Sequence, residues 1–183
     1  MSTTPPPMST TPITFRAATL AEAPAIVALV ESAYRGDSGR RGWTTESDLF
    51  DGPRTSKWEV AQLLENPDSR VLLAHRDGAL VACAHIRKKK NSCYFGMFAV
   101  NPELQRAGIG KELIREAERV AREEFRCVQM EMTVISVRAE LIAWYERRGY
   151  RRTGKLRPFP AGNGCPGFAK KTELYFELLV KPL

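Results

Sequence analysis

Hydrophobic positions recur along this chain with two spacings, and the alternation between them marks out its elements. Leu20, Ala23, Ile26, Val27, Val30 and Tyr34 fall on one face of a helix from about Leu20 to Tyr34, which Thr19 is placed to cap. Before it, Ile13 to Arg16 reads as a first strand. After it come some twenty residues, Arg35 to Arg54, with Gly36, Gly39, Gly42, Gly52 and Pro53 but also Trp43, Leu49 and Phe50. A glycine-rich loop of that length that keeps large apolar side chains is expected to be functional rather than disordered. Trp58 to Leu64 starts a short second helix.

The spacing then drops to two. Arg70 to Ala74 and Ala79 to Lys88 alternate on either side of Arg76-Asp77-Gly78, a hairpin signal. Asn91-Ser92 turns the chain again, and Tyr94 to Val100 forms the next strand. The helical spacing returns at Ile109, Leu113, Ile114, Ala117, Val120 and Ala121. Cys127 to Ile135 is an apolar strand, Arg138 to Arg148 a helix stopped by Gly149, and Leu174 to Val180 a last strand. Between them, Lys155 to Lys171 is dense in Pro and Gly and reads as a loop. Meander, strand–helix–strand–helix and strand predict a mixed sheet with helices on its faces, an α/β or α+β sandwich.

The junction of the Tyr94–Val100 strand with the helix after it carries the chemistry. Met97 to Val100 leads through Asn101-Pro102 into Gln105-Arg106-Ala107-Gly108-Ile109-Gly110-Lys111 at the helix start. Backbone N–H groups of a first helical turn have no partner and the dipole there favours anions. Gly108 and Gly110 allow close approach of a phosphate, and Arg106 and Lys111 add charge. Two well-known phosphate loops do not fit: Lys111 is followed by Glu112 rather than Ser or Thr, and a dinucleotide fingerprint would need glycine where Leu113 stands.

The pattern resembles instead the acyl-coenzyme A loop of the GNAT superfamily of N-acetyltransferases, Q/R-x-x-G-x-G/A, with Gln105, Gly108 and Gly110 at its defined positions. Leu141-Ile-Ala-Trp-Tyr-Glu-Arg-Arg-Gly-Tyr150 resembles the tyrosine-bearing helix of the same family, so the likeness runs from about residue 13 to 153. It implies a GNAT-like, mostly antiparallel sheet of six to seven strands with about four helices. It implies acetyl-CoA as cosubstrate, held by Met97, Phe98, Ala99 and Val100 of the strand and by Gln105, Arg106, Ala107, Gly108, Ile109, Gly110 and Lys111 of the loop. Phe98 and Val100 are the expected backbone partners of the pantetheine, and Gly96 is a candidate kink or packing glycine where strands part. Tyr145 takes the place of the general acid. A phenol near pKa 10 protonates a thiolate whose acid is near 8.5 at a cost of only about 2 kcal/mol.

Two departures from the family stand out. Cys93-Tyr-Phe-Gly-Met97 offers no carboxylate to deprotonate an acceptor ammonium, which leaves Glu46, Asp48, Asp51, His85, Glu131 or a water chain as candidates. Arg138 stands where many members have Asn, and is a candidate for a coenzyme phosphate. Trp43 and Phe159 are candidates for an apolar wall of the acceptor site, with Glu46 or Asp48 drawing in a cationic amine. The expected acceptor is a small-molecule or amino-acid-like amine. The alternative is a non-catalytic acyl-coenzyme A sensor, against which the retained Tyr145 argues.

Composition narrows the remaining classes. At 183 residues and 43% apolar, the chain suits a single domain over residues 13–183 behind a Pro/Thr-rich tail over 1–12, expected to be disordered. No apolar run nears the roughly 18 residues of a membrane span, and the first residues do not resemble a signal peptide. Cys83, Cys93, Cys127 and Cys165 lack metal or redox spacing, which points to buried thiols, no metal site and a cytoplasmic setting. The net charge of +7 is scattered and lacks stacking aromatics, so an anionic cofactor explains it better than nucleic acid. Edge-strand pairing makes a homodimer possible.

Overall fold

A computed structural model of the chain describes residues 11–35, 42–105, 107–159, 168–169 and 174–183. The tail expected over 1–12 therefore lies almost wholly outside the described residues, as do Arg106 and Cys165. In chain order the elements are β1 (Thr14–Ala17), α1 (Ala23–Tyr34), β2 (Phe50–Asp51), α2 (Lys57–Glu65), β3 (Ser69–Arg76), β4 (Ala79–Lys88), β5 (Ser92–Val100), α3 (Ile109–Glu123), β6 (Gln129–Ile135), α4 (Ala139–Glu146), β7 (Arg151–Pro158), β8 (Phe168–Ala169) and β9 (Tyr175–Pro182).

Seven strands form one sheet in the order β1-β3-β4-β5-β6-β9-β7, antiparallel throughout except for the β5–β6 pair. Among the described residues, the mostly antiparallel sheet and four α-helices match the expected fold class. Two cores lie on opposite faces. Ile26, Val30 and Ala33 of α1 and Val60 of α2 pack on Val71, Leu73 and Cys83. On the other face Ile109, Leu113, Ile114 and Ala117 of α3 and Ile142 and Tyr145 of α4 pack on Leu72, Ala82, Ala84 and Phe95. The central strands β3, β4 and β5 thus serve both layers through their period of two.

Local signals set most boundaries. Thr19 opens a 3₁₀ turn at Leu20–Glu22, its N–H donating to the Glu22 carboxylate at 2.9 Å, before α1 begins at Ala23. Asp77 and Gly78 both have positive φ, as the two-residue hairpin requires. Gly149, at φ 90°, ends the α4 segment. Cys83, Cys93 and Cys127 are buried free thiols.

Three strands were not expected. The stretch from Lys155 onward read as a loop, yet β7 runs on to Pro158. It is an edge strand whose register with β9 shifts between Arg152 and Leu156, around Gly154 at φ 71°. Glycine and proline are tolerated at an edge or a bulge, and nearly every residue of β7 is exposed, so no apolar alternation marks it. The others are β2 within the long loop and β8 within the Lys155–Lys171 stretch, which pair with each other.

Candidate active site

The sheet opens at β5 and β6. These strands pair only at Ser92–Gln129, Cys93–Met130 and Tyr94–Glu131, although β5 continues to Val100 and β6 to Ile135. On its other side β5 stays joined to β4, with a register shift between Cys83 and His85. Met97 and Phe98 both fall opposite Ala84, a bulge that Met97 completes at φ 41°. The bend falls one residue beyond Gly96, the glycine singled out for a kink.

Strand alternation fixes which backbone groups face the gap. Asn101 N–H donates to the Val81 carbonyl at 2.9 Å, and Ala99 stands opposite Cys83, so Phe98 and Val100 point their N–H and C=O away from β4. The Phe98 carbonyl accepts the Tyr34 hydroxyl, and the Val100 carbonyl accepts Gln105 Nε2 at 3.4 Å. Among the described residues neither N–H has a partner. Two unpaired donors on a free strand edge are a ready receptor for an extended, amide-bearing ligand.

Beside this edge lies a cavity of about 570 Å³ lined by Phe98 and Val100 of β5, Gly108 to Lys111 at the start of α3, and Trp144, Tyr145 and Arg148 in the α4 region. Gly108 holds φ 81° as the residue preceding α3, a left-handed conformation that costs other residues strain. A Cβ on Gly110 would lie 3.1 Å from Phe98 Cζ and 3.7 Å from Trp144 Cζ2. The glycines therefore expose the first turn of α3, with its unpaired N–H groups, to the cavity. Lys111 lines the same wall.

Gln105 does a second job. Its Oε1 accepts the Trp43 N–H at 3.0 Å and its Nε2 donates to Thr44 Oγ1 at 2.9 Å, tying the loop after α1 to the β5–α3 junction. Trp43 then meets Trp144 with ring centroids 6.4 Å apart, and Trp144 meets Phe98 at 5.8 Å. Trp43 thus roofs the cavity, whereas Phe159 sits in a separate cluster with Phe50 and Phe176, at 4.9 and 4.7 Å. The structure does not bring Trp43 and Phe159 together as one wall.

Tyr145 lies at the inner end of the cavity, buried, with Tyr150 and Trp144 edge-on to its ring. Burial is the main reason its phenol is pushed far up, so it keeps its proton at neutral pH. Tyr34 and Tyr94 add to that shift, while Arg138 and Arg148 oppose it. Tyr34, whose phenol burial raises to about 12, lines the same end.

The candidate bases and acceptor contacts are mostly occupied. Glu46 is buried and shared by three guanidiniums, Arg35 at 3.1 Å, Arg54 at 3.3 Å and Arg138 at 3.4 Å. Arg138 also donates to the Thr44 carbonyl at 2.8 Å, so in this structure it braces the loop over the cavity. His85 is buried with Nε2 2.6 Å from Ser69 Oγ, and burial lowers its pKa to about 4. Glu131 is paired with Lys89. Asp48 and Asp51 are exposed. Among the described residues no group of three or more metal-ligating side chains occurs, and no helix is long and apolar enough to cross a membrane.

Sequence reasoning gave no site role to Tyr34, which fell on the apolar stripe of α1, or to Trp144, which stood only as part of the tyrosine-bearing helix, yet both line the cavity. An aromatic on an amphipathic face carries no local mark of whether it meets core or cavity.

The model of the acetyltransferase (GNAT) family matches residues 39–150. Among solved structures, a ribosomal-protein alanine N-acetyltransferase from Escherichia coli superposes with TM-score 0.68 at 17% identity, covering 93% of this chain and 94% of that one. An N-acetyltransferase from Staphylococcus aureus gives TM-score 0.70 at 15% identity, covering 93% and 97%. A spermidine N-acetyltransferase chimera from Vibrio cholerae and hSSAT gives 0.67 at 16%, covering 93% and 95%. No curated protein matches the chain significantly. Identities this low speak for the fold alone, and the acceptors those proteins are named for differ. The family match spans more than half of the chain and contains both the glycine loop and the tyrosine helix, so this protein belongs to the GNAT family and is an acetyltransferase.

Proposed function

We propose that this protein transfers the acetyl group of acetyl-coenzyme A to the primary amine of a small, amino-acid-like acceptor, with Tyr145 as general acid. One observation carries the reading: the free edge of β5, with the unpaired N–H groups of Phe98 and Val100, runs beside a cavity that joins the Gly108–Lys111 turn to the buried phenol of Tyr145. Backbone groups of Gly108 to Lys111 would take the pyrophosphate and the edge of β5 the pantetheine. The Phe98 N–H would receive the thioester oxygen as it becomes an oxyanion. Arg106, expected in the same cradle, lies outside the described residues.

The amine nitrogen attacks the thioester carbonyl carbon, a C–N bond forms and the C–S bond breaks. The departing thiolate takes the Tyr145 proton, the proton lost by the amine goes to solvent, and Tyr145 is reprotonated from solvent before the next turnover. A raised phenol pKa makes Tyr145 a weaker acid, but the thiolate leaves into the same buried end. Desolvation raises its proton affinity too, so the gap between the two stays small. Glu46 is engaged by Arg35, Arg54 and Arg138, which favours exit of the amine proton through water. The three buried free thiols suit a reducing cytoplasmic setting.

The test is calorimetry together with turnover. The intact protein should bind acetyl-coenzyme A in the micromolar range. Tyr145→Phe should lower kcat by about 10²- to 10⁴-fold while affinity stays within a few-fold. Full turnover in the phenylalanine variant would remove Tyr145 from the mechanism.

A further inference from the structure

Tyr94 is the last residue of β5 paired to β6, so its side chain leaves the sheet at the vertex of the opening. The ring is folded forward along its own strand over Gly96. A Cβ there would lie 2.7 Å from Tyr94 Cε1 and 2.9 Å from the Tyr94 hydroxyl. Contacts that close cannot be sustained, so a side chain at residue 96 would drive the phenol out of its position. The ring is bracketed by His85, 6.2 Å between centroids, and by the Lys89 ammonium, 5.6 Å from the ring centre. Lys89 is itself tied to Glu131, the residue opposite Tyr94 on β6. The phenol is therefore placed, not free to swing.

The direction of the bound arm follows from the geometry. The anion-binding turn lies C-terminal to β5, so an arm laid on the free edge runs back from residues 108–110 past Val100 to Phe98. Whatever is attached beyond the thioester carbonyl continues toward Gly96. The lining of the cavity includes Tyr34, Phe98 and Tyr145 but not Tyr94. Held over Gly96, two residues before Phe98 on β5, the phenol lies in the path a longer acyl chain would take.

Building on the proposed function, we infer that Tyr94 is a specificity-determining residue that limits the donor to acyl groups no longer than propionyl, with Gly96 supplying the space in which its ring lies. Acetyl, propionyl, butyryl and hexanoyl thioesters of coenzyme A, with one fixed amine, give the profile. In the intact protein kcat/KM should fall by about tenfold or more at the step from propionyl to butyryl, since even a single methylene in an enzyme pocket is worth about 10- to 200-fold. Tyr94→Ala should raise the butyryl-to-acetyl ratio at least about tenfold, and Tyr94→Phe, which keeps the ring, should leave it near the intact value. A ratio of two donors on one sample cancels any loss of folded protein. Hexanoyl used as readily as acetyl by the intact protein, or the same ratio in Tyr94→Ala, would overturn the inference. Calorimetry separates the two levels. An intact protein that binds none of the thioesters defeats the coenzyme reading and this inference with it. One that binds and transfers acetyl with an unchanged profile in Tyr94→Ala defeats only the role of Tyr94.

Discussion

Gly110 offers the sharpest separation of folding from binding. It is the second residue of α3, where alanine is a better helix former than glycine by up to about 1 kcal/mol, and by less in a first turn. Against this, the added Cβ would sit 3.1 Å from Phe98 Cζ, 3.6 Å from Val100 Cγ2 and 3.7 Å from Trp144 Cζ2. Only the Phe98 contact is tight, and it involves the tip of a ring bordering a cavity, which can yield by a few tenths of an ångström. The strain should therefore fall at or below the low end of overpacking costs, about 1 kcal/mol. The two effects nearly cancel, and Gly110→Ala should change the melting temperature by no more than about 4 °C in a domain of this size. On the proposed binding mode the same methyl lies where the coenzyme arm passes between Phe98 and Trp144, so affinity for acetyl-coenzyme A should drop about tenfold or more, or 1.4 kcal/mol. Gly110→Val adds two further methyl groups to that passage and should all but abolish binding. Differential scanning fluorimetry and isothermal calorimetry on the three proteins measure both quantities. Binding of acetyl-coenzyme A by folded Gly110→Val at the intact protein's affinity would refute the placement of the arm. Gly108→Ala provides the contrast: open space surrounds its Cβ position, but φ is 81°, so about 1–2 kcal/mol of backbone strain should appear as lost stability.

Other consequences are open to measurement. Glu46→Gln leaves Arg35, Arg54 and Arg138 without their shared carboxylate, and breaking buried pairs of this kind costs about 3–5 kcal/mol; urea unfolding that moves by less than 1 kcal/mol would mean that solvent screens the cluster. His85 has a folded pKa of about 4, below the 6.5 of an exposed imidazole, so the unfolded chain binds the extra proton as the medium is acidified. Stability is then fully present above pH 6.5 and is lost toward pH 4 with a limiting slope of about 1.4 kcal/mol per pH unit. Glu22, held at about 2 by Arg16, contributes only as the unfolded carboxylate begins to titrate near 4.5 and below, so most of the His85 window lies above it. Unfolding free energies of the intact protein and His85→Gln should converge between pH 6.5 and 4, and parallel curves would exclude His85 as the source.

What could be read from the chain was whatever is encoded within a turn or two of itself. Gly108 and Gly110 at a helix start, the α3 stripe from Ile109 to Ala121, the Asp77-Gly78 turn and the stop at Gly149 each follow from backbone sterics or a short period, and they led to the fold and to the glycine loop proposed to hold the coenzyme. What the tertiary structure alone decided depends on partners far along the chain. Gln105 reads as a loop residue, yet it clasps Trp43 and Thr44, more than sixty positions away. Glu46 reads as a free carboxylate beside a substrate, yet Arg138, 92 positions on, helps to neutralise it. The early parting of β5 from β6 and the edge strand β7 leave no pattern, because period-two alternation shows which face a side chain takes but not which strand lies alongside. The charge and accessibility of a catalytic group are set by what packs on it, and that is fixed only when distant segments meet.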